Sequence, residues 1–192
     1  MDSRKTILNA IRRAQPPLNE HPGHRLMEFA GNNCVEIFQE VLAGVGGKTY
    51  VVSDVNEIDK IIGEIFPDIK RTVYASAQPG IIKDGHSCND VDLFIFESRM
   101  AVAENGAVWI TDKDLPLRVL PFIAQHLAVM ISKDAIVDTM HHAYEFIEGE
   151  EYGYGCFIAG PSKTADIEQS LVLGAHGALS MTAFLLDHHN IH

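Results

Sequence analysis

The sequence predicts an α/β protein: a three-layer αβα sandwich on a largely parallel sheet, with an N-terminal helical extension. Three observations predict it. Apolar residues pass repeatedly from helical spacing to short β-branched runs, the mark of helices alternating with strands. Gly and Pro punctuate the changes, at residues 44–47, Pro67, Pro79-Gly80 and Gly160-Pro161. The length, 192 residues with 46% apolar and 21% charged, suits one domain with a sizeable core.

In order along the chain, Ile7, Leu8 and Ile11 recur at helical spacing within residues 3–14, and Pro16-Pro17 stop that helix. Residues 1–24 are therefore a helix and linker, suited to pack on a neighbouring subunit of a homo-oligomer or back on its own domain. The main α/β domain spans 25–187, and 188–192 is a histidine-rich tail. Residues 25–42 read as a long helix through Leu26, Phe29, Cys34, Ile37, Phe38, Val41 and Leu42, and 48–52 as a strand. Ser53 or Asp54 caps the next helix, with Glu57 completing a capping box from Asp54. Its buried face is Val55, Ile58, Ile61, Ile62 and Ile65, and Pro67 ends it.

Residues 71–75 read as a strand, 78–90 as a loop, and 91–96 as an apolar strand broken only by Asp92. Residues 101–110 alternate around Asn105-Gly106, a hairpin signal of the type I′ kind. Residues 118–122 form a connector and 127–131 a strand. Asp134 is expected to cap a helix reaching about residue 148, with Ile136, Val137, Met140, Tyr144 and Ile147 inside. The run 156–159 is a strand that Gly160-Pro161 breaks, because proline has no N–H for the ladder. A short helix capped by Ser162 or Thr164 is expected next, with Asp166 and Glu168 in its first turn. A final strand lies near 179–186.

Composition excludes several classes. A net charge of −11 argues against a nucleic-acid surface, which needs clustered Lys and Arg. No run approaches the roughly 20 apolar residues of a membrane span, and the first residues have no apolar signal core, so a cytoplasmic location is expected. Cys34, Cys88 and Cys156 show no metal or disulfide spacing; Cys88, in a polar loop, is the one thiol worth testing for reactivity, with an inert thiol expected even there. His141 and His142 are adjacent on a helix, no His-x-x-x-His is present, and no metal site is expected. Walker and dinucleotide glycine motifs are absent, as is Gly-x-Ser-x-Gly.

The polar turn after residue 159 is the best candidate for chemistry. Ser162, Thr164 and the N–H groups of the expected helix start suit a phosphate or carboxylate, and Lys163 adds charge. Asp166 is either a dipole-placed acid or a group that orients a partner or metal. His176, between Gly174 and Gly177, is either a general acid/base or anion donor, or a structural turn residue. His126 follows a polar break and is expected to face the same cleft. Glu104 projects from the hairpin tip, as a solvated turn acid or a functional carboxylate.

The run Gly160-Pro-Ser-Lys-Thr-Ala-Asp-Ile-Glu168, then Leu173-Gly-Ala-His-Gly177, resembles the signature of the LUD-domain family, the LutC/YkgG lactate-utilisation group. Ala103-Glu104-Asn105-Gly106 matches an upstream family block, usually Ala-Glu-Thr-Gly, with asparagine in place of threonine. Leu120-Pro121 and the apolar run 124–131 fit the piece between, so the resemblance covers about 102–187. It implies a NagB/RpiA/CoA-transferase-like fold and work beside iron–sulfur partner proteins that oxidise L-lactate to pyruvate. Any cluster would then belong to those partners, with no cofactor in this chain. The implied cleft holds a small anionic metabolite, of the lactate/pyruvate or acyl-CoA class. Glu104 and His176 are its catalytic candidates, and Gly160, Ser162, Lys163, Thr164, Asp166, Gly174 and Gly177 its ligand-binding residues. Glu-Asn-Gly also resembles the tip of CoA transferases, whose glutamate attacks an acyl-CoA thioester. That leaves two alternatives: a stand-alone acyl-CoA or sugar-phosphate enzyme using Glu104, and a ligand sensor without catalysis.

Overall fold

The computed structural model describes residues 3–17, 33–76, 88–165, 171–174 and 176–187. Parts of the expected linker, long helix, 78–90 loop and C-terminal tail lie outside these residues, as does Asp166. The elements are α1 (Ser3–Arg13), α2 (Cys34–Gly44), β1 (Lys48–Val52), α3 (Val55–Ile65), β2 (Thr72–Tyr74), β3 (Leu93–Glu97), β4 (Ala101–Val102), β5 (Ala107–Thr111), α4 (Leu120–Ile123), β6 (His126–Ser132), β7 (Ile136–Val137), α5 (Met140–Ile147), β8 (Gly155–Ile158), β9 (Lys163–Ala165), β10 (Leu171–Leu173) and β11 (Ser180–Leu186). Among the described residues no helix is long and apolar enough to cross a membrane.

Five strands form a wholly parallel sheet in the order β1-β11-β6-β3-β2. β1 and β2 are consecutive in sequence yet hold opposite edges, so α3 joins one edge to the other and covers one face. That face is the alternate set Leu93, Ile95, Ala128, Phe184 and Leu186, packed with Ile58. The intervening residues Phe94, Phe96, Leu127, Val129, Met181, Ala183 and Leu185 face the other way, against Phe38 and Leu42 of α2 and Val108 and Ile110 of β5. Strands apolar on both sides are what a parallel sheet between two layers requires. Asp54 caps α3 as its sequence predicts, its carboxylate accepting the Asn56 N–H at 2.8 Å.

A second sheet, β7-β4-β5-β8, lines the far side of that core. Its outer face, with Val102 and Trp109, packs on Ala143 and Ile147 of α5. Here one expected helix is divided. Ile136 and Val137 pair in parallel with Ala101 and Val102 instead of opening a helix at Asp134. A β-branched pair gains a full ladder beside β4, and that tertiary gain outweighs a local cap. Asp134 falls in a 3₁₀ turn, and Thr139 becomes the N-cap of the shortened helix.

α1 forms where Ile7, Leu8 and Ile11 predict it, but buries none of its side chains. Cys88, set by the sequence in a polar loop, is fully buried in the core; Cys34 is half-buried and donates to Asp138.

Candidate functional site

The turn after β8 does not begin a helix at Ser162 or Thr164. Gly160 takes φ +71°, and a Cβ there would lie 2.9 Å from the Val45 side chain and 3.0 Å from its carbonyl oxygen. The chain therefore turns hard against the end of α2, with Pro161 buried. Ser162 then gives its N–H to the Ala178 carbonyl at 2.8 Å and accepts the Gly174 N–H at 3.1 Å. With both backbone groups spent on distant residues, the chain continues extended as β9 and pairs antiparallel with β10, Lys163 opposite Leu173. An anion site made of helix N–H groups is thus absent at these two positions. Long-range ladder bonds, invisible to a local capping rule, decide the geometry.

Those bonds draw several expected site residues together. Ser162, Gly174 and Gly177 form one knot, with Gly177 lying flat against Ser162. Lys163 is exposed, its ammonium close over Gly46, and His176 is exposed beside the knot. Thr164 sits in β9 opposite Val172. The knot stands where Gly46 leads into β1 and Ala178 into β11, at the amino ends of the main parallel sheet.

Glu104 reaches the same end of the small sheet by register: Val108 pairs with Ile158, so the 103–106 turn lies beside the 159–162 turn. The hairpin forms, but over four residues rather than two. Val102 pairs with Ala107, the Gly106 N–H returns to the Val102 carbonyl at 3.0 Å, and the Asn105 side chain accepts the Ala107 N–H at 3.0 Å. The Glu104 carboxylate accepts the Met140 N–H at 2.8 Å, at the start of α5. Its backbone N–H binds the Asp138 carbonyl at 3.0 Å. Glu104 is therefore a cap supplied to α5 from another segment. The Met140 bond engages one carboxylate oxygen, Oε2, and draws charge from the group as a nucleophile.

Among the described residues two clefts lie outside this turn, and of the residues expected to share the site only His126 lines one of them. One, of about 580 Å³, opens at the carboxyl ends of β2, β3 and β6, where open α/β sheets commonly hold ligands. Its polar rim is largely self-paired: Arg99 makes a bidentate bridge to Glu150 at 3.0 and 3.1 Å, and the Tyr74 hydroxyl donates to Asp59 at 3.2 Å. Burial, with Asp59 alongside, pushes the Tyr74 phenol up.

The other cleft, of about 390 Å³, opens at the amino ends of β1, β6 and β11 and is lined by Lys48, His126 and Ser180. His126, expected to share a cleft with the signature turn, belongs here. Its Nδ1 lies 2.8 Å from Ser180 Oγ, and its ring packs tilted against Phe66 with centroids 4.6 Å apart. Burial holds the imidazole below its ordinary pKa, with Asp92 pulling partly the other way. Sequence reasoning passed over Ser180; the available signal was that His126 and Ser180 each directly precede an apolar run. Only the parallel register, which pairs Ser180 with His126, turns that into a contact.

Comparison with known proteins agrees with this architecture. A DUF162 family protein from Deinococcus radiodurans superposes with a TM-score of 0.62 over 83% of this chain and 99% of that one, at 14% identity, which establishes a shared α/β fold. The LUD domain profile matches residues 83–186, more than half of the chain, and the protein belongs to the LUD domain family. Curated relatives carry the description lactate utilization protein C. One from Geobacillus sp. (strain WCH70) is 26% identical over 94% of this chain and 78% of its own length. One from Anoxybacillus flavithermus is 27% identical over 82% and 73%, and one from Bacillus pumilus 34% identical over 47% and 40%.

Proposed function

We propose that this protein is a LutC-type component of L-lactate utilisation that binds a small carboxylate at its signature turn, beside iron–sulfur partner proteins that carry the electrons. The supporting observation is the knot itself. Of the residues by which the chain resembles its family, Ser162 and Gly174 are tied by a backbone bond, Gly177 lies close against the Ser162 side chain, and Lys163, next in the chain, is exposed with its ammonium near Gly46. A hydroxyl and an ammonium on a rigid turn match the charge and acceptors of lactate or pyruvate. His176 and Asp166 complete the binding group in this reading. The redox centre falls to partners because the chain has three cysteines and a thiolate-bound cluster takes four.

Thermal melts with L-lactate and pyruvate, on the parent chain and a Lys163→Ala variant, test the binding. Ligand held only by the native state adds about 2.7 kcal/mol at a hundredfold excess over Kd. Stabilisation that disappears in Lys163→Ala is the expected result. No stabilisation by either acid, or an equal effect in the variant, overturns the reading. Affinity purification from cells grown on lactate, with iron analysis of the co-eluting proteins, tests the partnership; binding without any such protein would favour a stand-alone sensor.

A further inference from the structure

We propose that the cleft at the amino ends of β1, β6 and β11 is a second binding site, for a monocarboxylate carrying a short hydrocarbon chain, with His126 and Lys48 facing the carboxylate. Three features of its walls carry the assignment. Lys48 stands at the start of β1 and is exposed, bringing a cation to the rim. His126 and Ser180, held 2.8 Å apart on adjacent strands, present a titratable ring and a hydroxyl to the same space. Phe66, in contact with the His126 ring, and Ile65, Pro67 and Ile69 give the cleft an apolar wall beside these polar groups. Charge next to hydrocarbon in one cleft is the pattern of a short-chain acid.

The acids in the cleft narrow the ligand further. Asp92 lies in the wall, but its carboxylate is occupied. One oxygen accepts the N–H groups of Lys70 at 2.8 Å and Arg71 at 3.0 Å, and the other the Gln125 amide at 3.1 Å. Those backbone donors, Arg71 first, hold it below the usual carboxylate range, so it stays charged and structural. Asp68, on the connector after α3, is the second acid. The groups around His126 are therefore Lys48 from β1, Asp68 with Lys70 from the connector, and Asp92 with Arg71 before β3; the Arg71 guanidinium is itself paired with Asp90. Lys48 and Lys70 against Asp68 and Asp92 leave no spare positive charge for a phosphate dianion. A monoanion that brings a proton to His126 leaves the cleft close to balanced.

The site is separate from the signature turn, although the chain links them: Leu179, between the knot and Ser180, gives its N–H to the Gln125 carbonyl at 2.7 Å. The inference does not rest on the lactate reading, and its test keeps the two apart. The probe is butyrate, added to the full chain while the histidine ring signals are followed by NMR, with His126 assigned from its loss in His126→Gln. An anion beside the ring favours the imidazolium, so butyrate should raise the His126 pKa. Its Kd should tighten as pH falls from about 8 to about 6, by up to about tenfold per unit where the ring is neutral. Lys48→Gln should weaken binding severalfold at every pH, and His126→Gln should flatten the pH profile. Acetate should bind more weakly than butyrate, because it does not reach the apolar wall.

An unmoved His126 titration in saturating butyrate overturns the proposal, as does an unchanged pH profile in His126→Gln. Because the titration is read in the parent chain, it holds even if a variant misfolds. The discriminating position is Lys163. If Lys163→Ala abolishes lactate stabilisation while butyrate still shifts His126, both sites stand. If lactate and pyruvate fail on the parent chain while butyrate succeeds, only the lactate reading falls. The reverse pattern sinks only this cleft.

Discussion

Replacing Glu104 separates a structural carboxylate from a reactive one. The carboxylate accepts the Met140 N–H at 2.8 Å, whereas the Thr139 hydroxyl accepts the His142 N–H at a long 3.4 Å. Glu104 is thus the stronger of two caps on an eight-residue helix. Losing a side-chain cap costs about 1 kcal/mol, and a negative charge at a helix start contributes about 0.3–1 kcal/mol more. Glu104→Gln keeps an oxygen acceptor and loses the charge, so about 0.5 kcal/mol is expected. Glu104→Ala loses both, for about 1.5 kcal/mol. In a domain of this size that lowers Tm by about 3–6 °C. The assay is urea and thermal unfolding followed by the single tryptophan, Trp109, which is buried under α5 against Phe157 with ring centroids 4.6 Å apart. The parent–Gln difference should shrink in high salt, since that part of the cap is electrostatic. Stability of Glu104→Ala equal to the parent would refute the capping argument and return the carboxylate to the list of free nucleophiles.

Two further outcomes follow from the same geometry. Gly106→Ala should cost about 3 kcal/mol in urea unfolding: φ is +68°, and the new Cβ would lie 3.0 Å from the Leu42 backbone; a loss under about 1 kcal/mol would mean that α2 does not press on this turn. Cys34 should alkylate slowly at pH 8, with a rate still rising towards pH 11, because burial and then the bond to Asp138 push its thiol up to about 11. Since the folded state holds that proton more tightly, its contribution to stability is complete below about pH 9 and lost as pH climbs through about 11, which pH-dependent melts of the parent and Cys34→Ser would show.

Much of the main sheet was legible because its signal is local and repeated. Ile58, Ile61, Ile62 and Ile65 recur at helical spacing behind an Asp54 cap, and α3 forms there. The apolar runs around residues 91–96, 127–131 and 179–186 became β3, β6 and β11, each buried on both sides. The candidate site was legible only as composition. Ser162, Gly174 and Gly177, picked out from the sequence pattern, do lie together in the fold, while the helix expected to present them is a strand over Lys163–Ala165.

What the sequence determined by itself is the alternation of helices and strands and the faces they bury, because hydrophobic period and turn residues act within a few positions. What only the tertiary structure decided is how the polar groups are spent. Ser162 gives its backbone to Ala178 and Gly174, Ile136 and Val137 join β4, Glu104 caps α5, and His126 meets Ser180 across a parallel pair. Each of those bonds joins segments far apart in the chain. Its partner is fixed by strand order and register, which no local pattern of residues encodes.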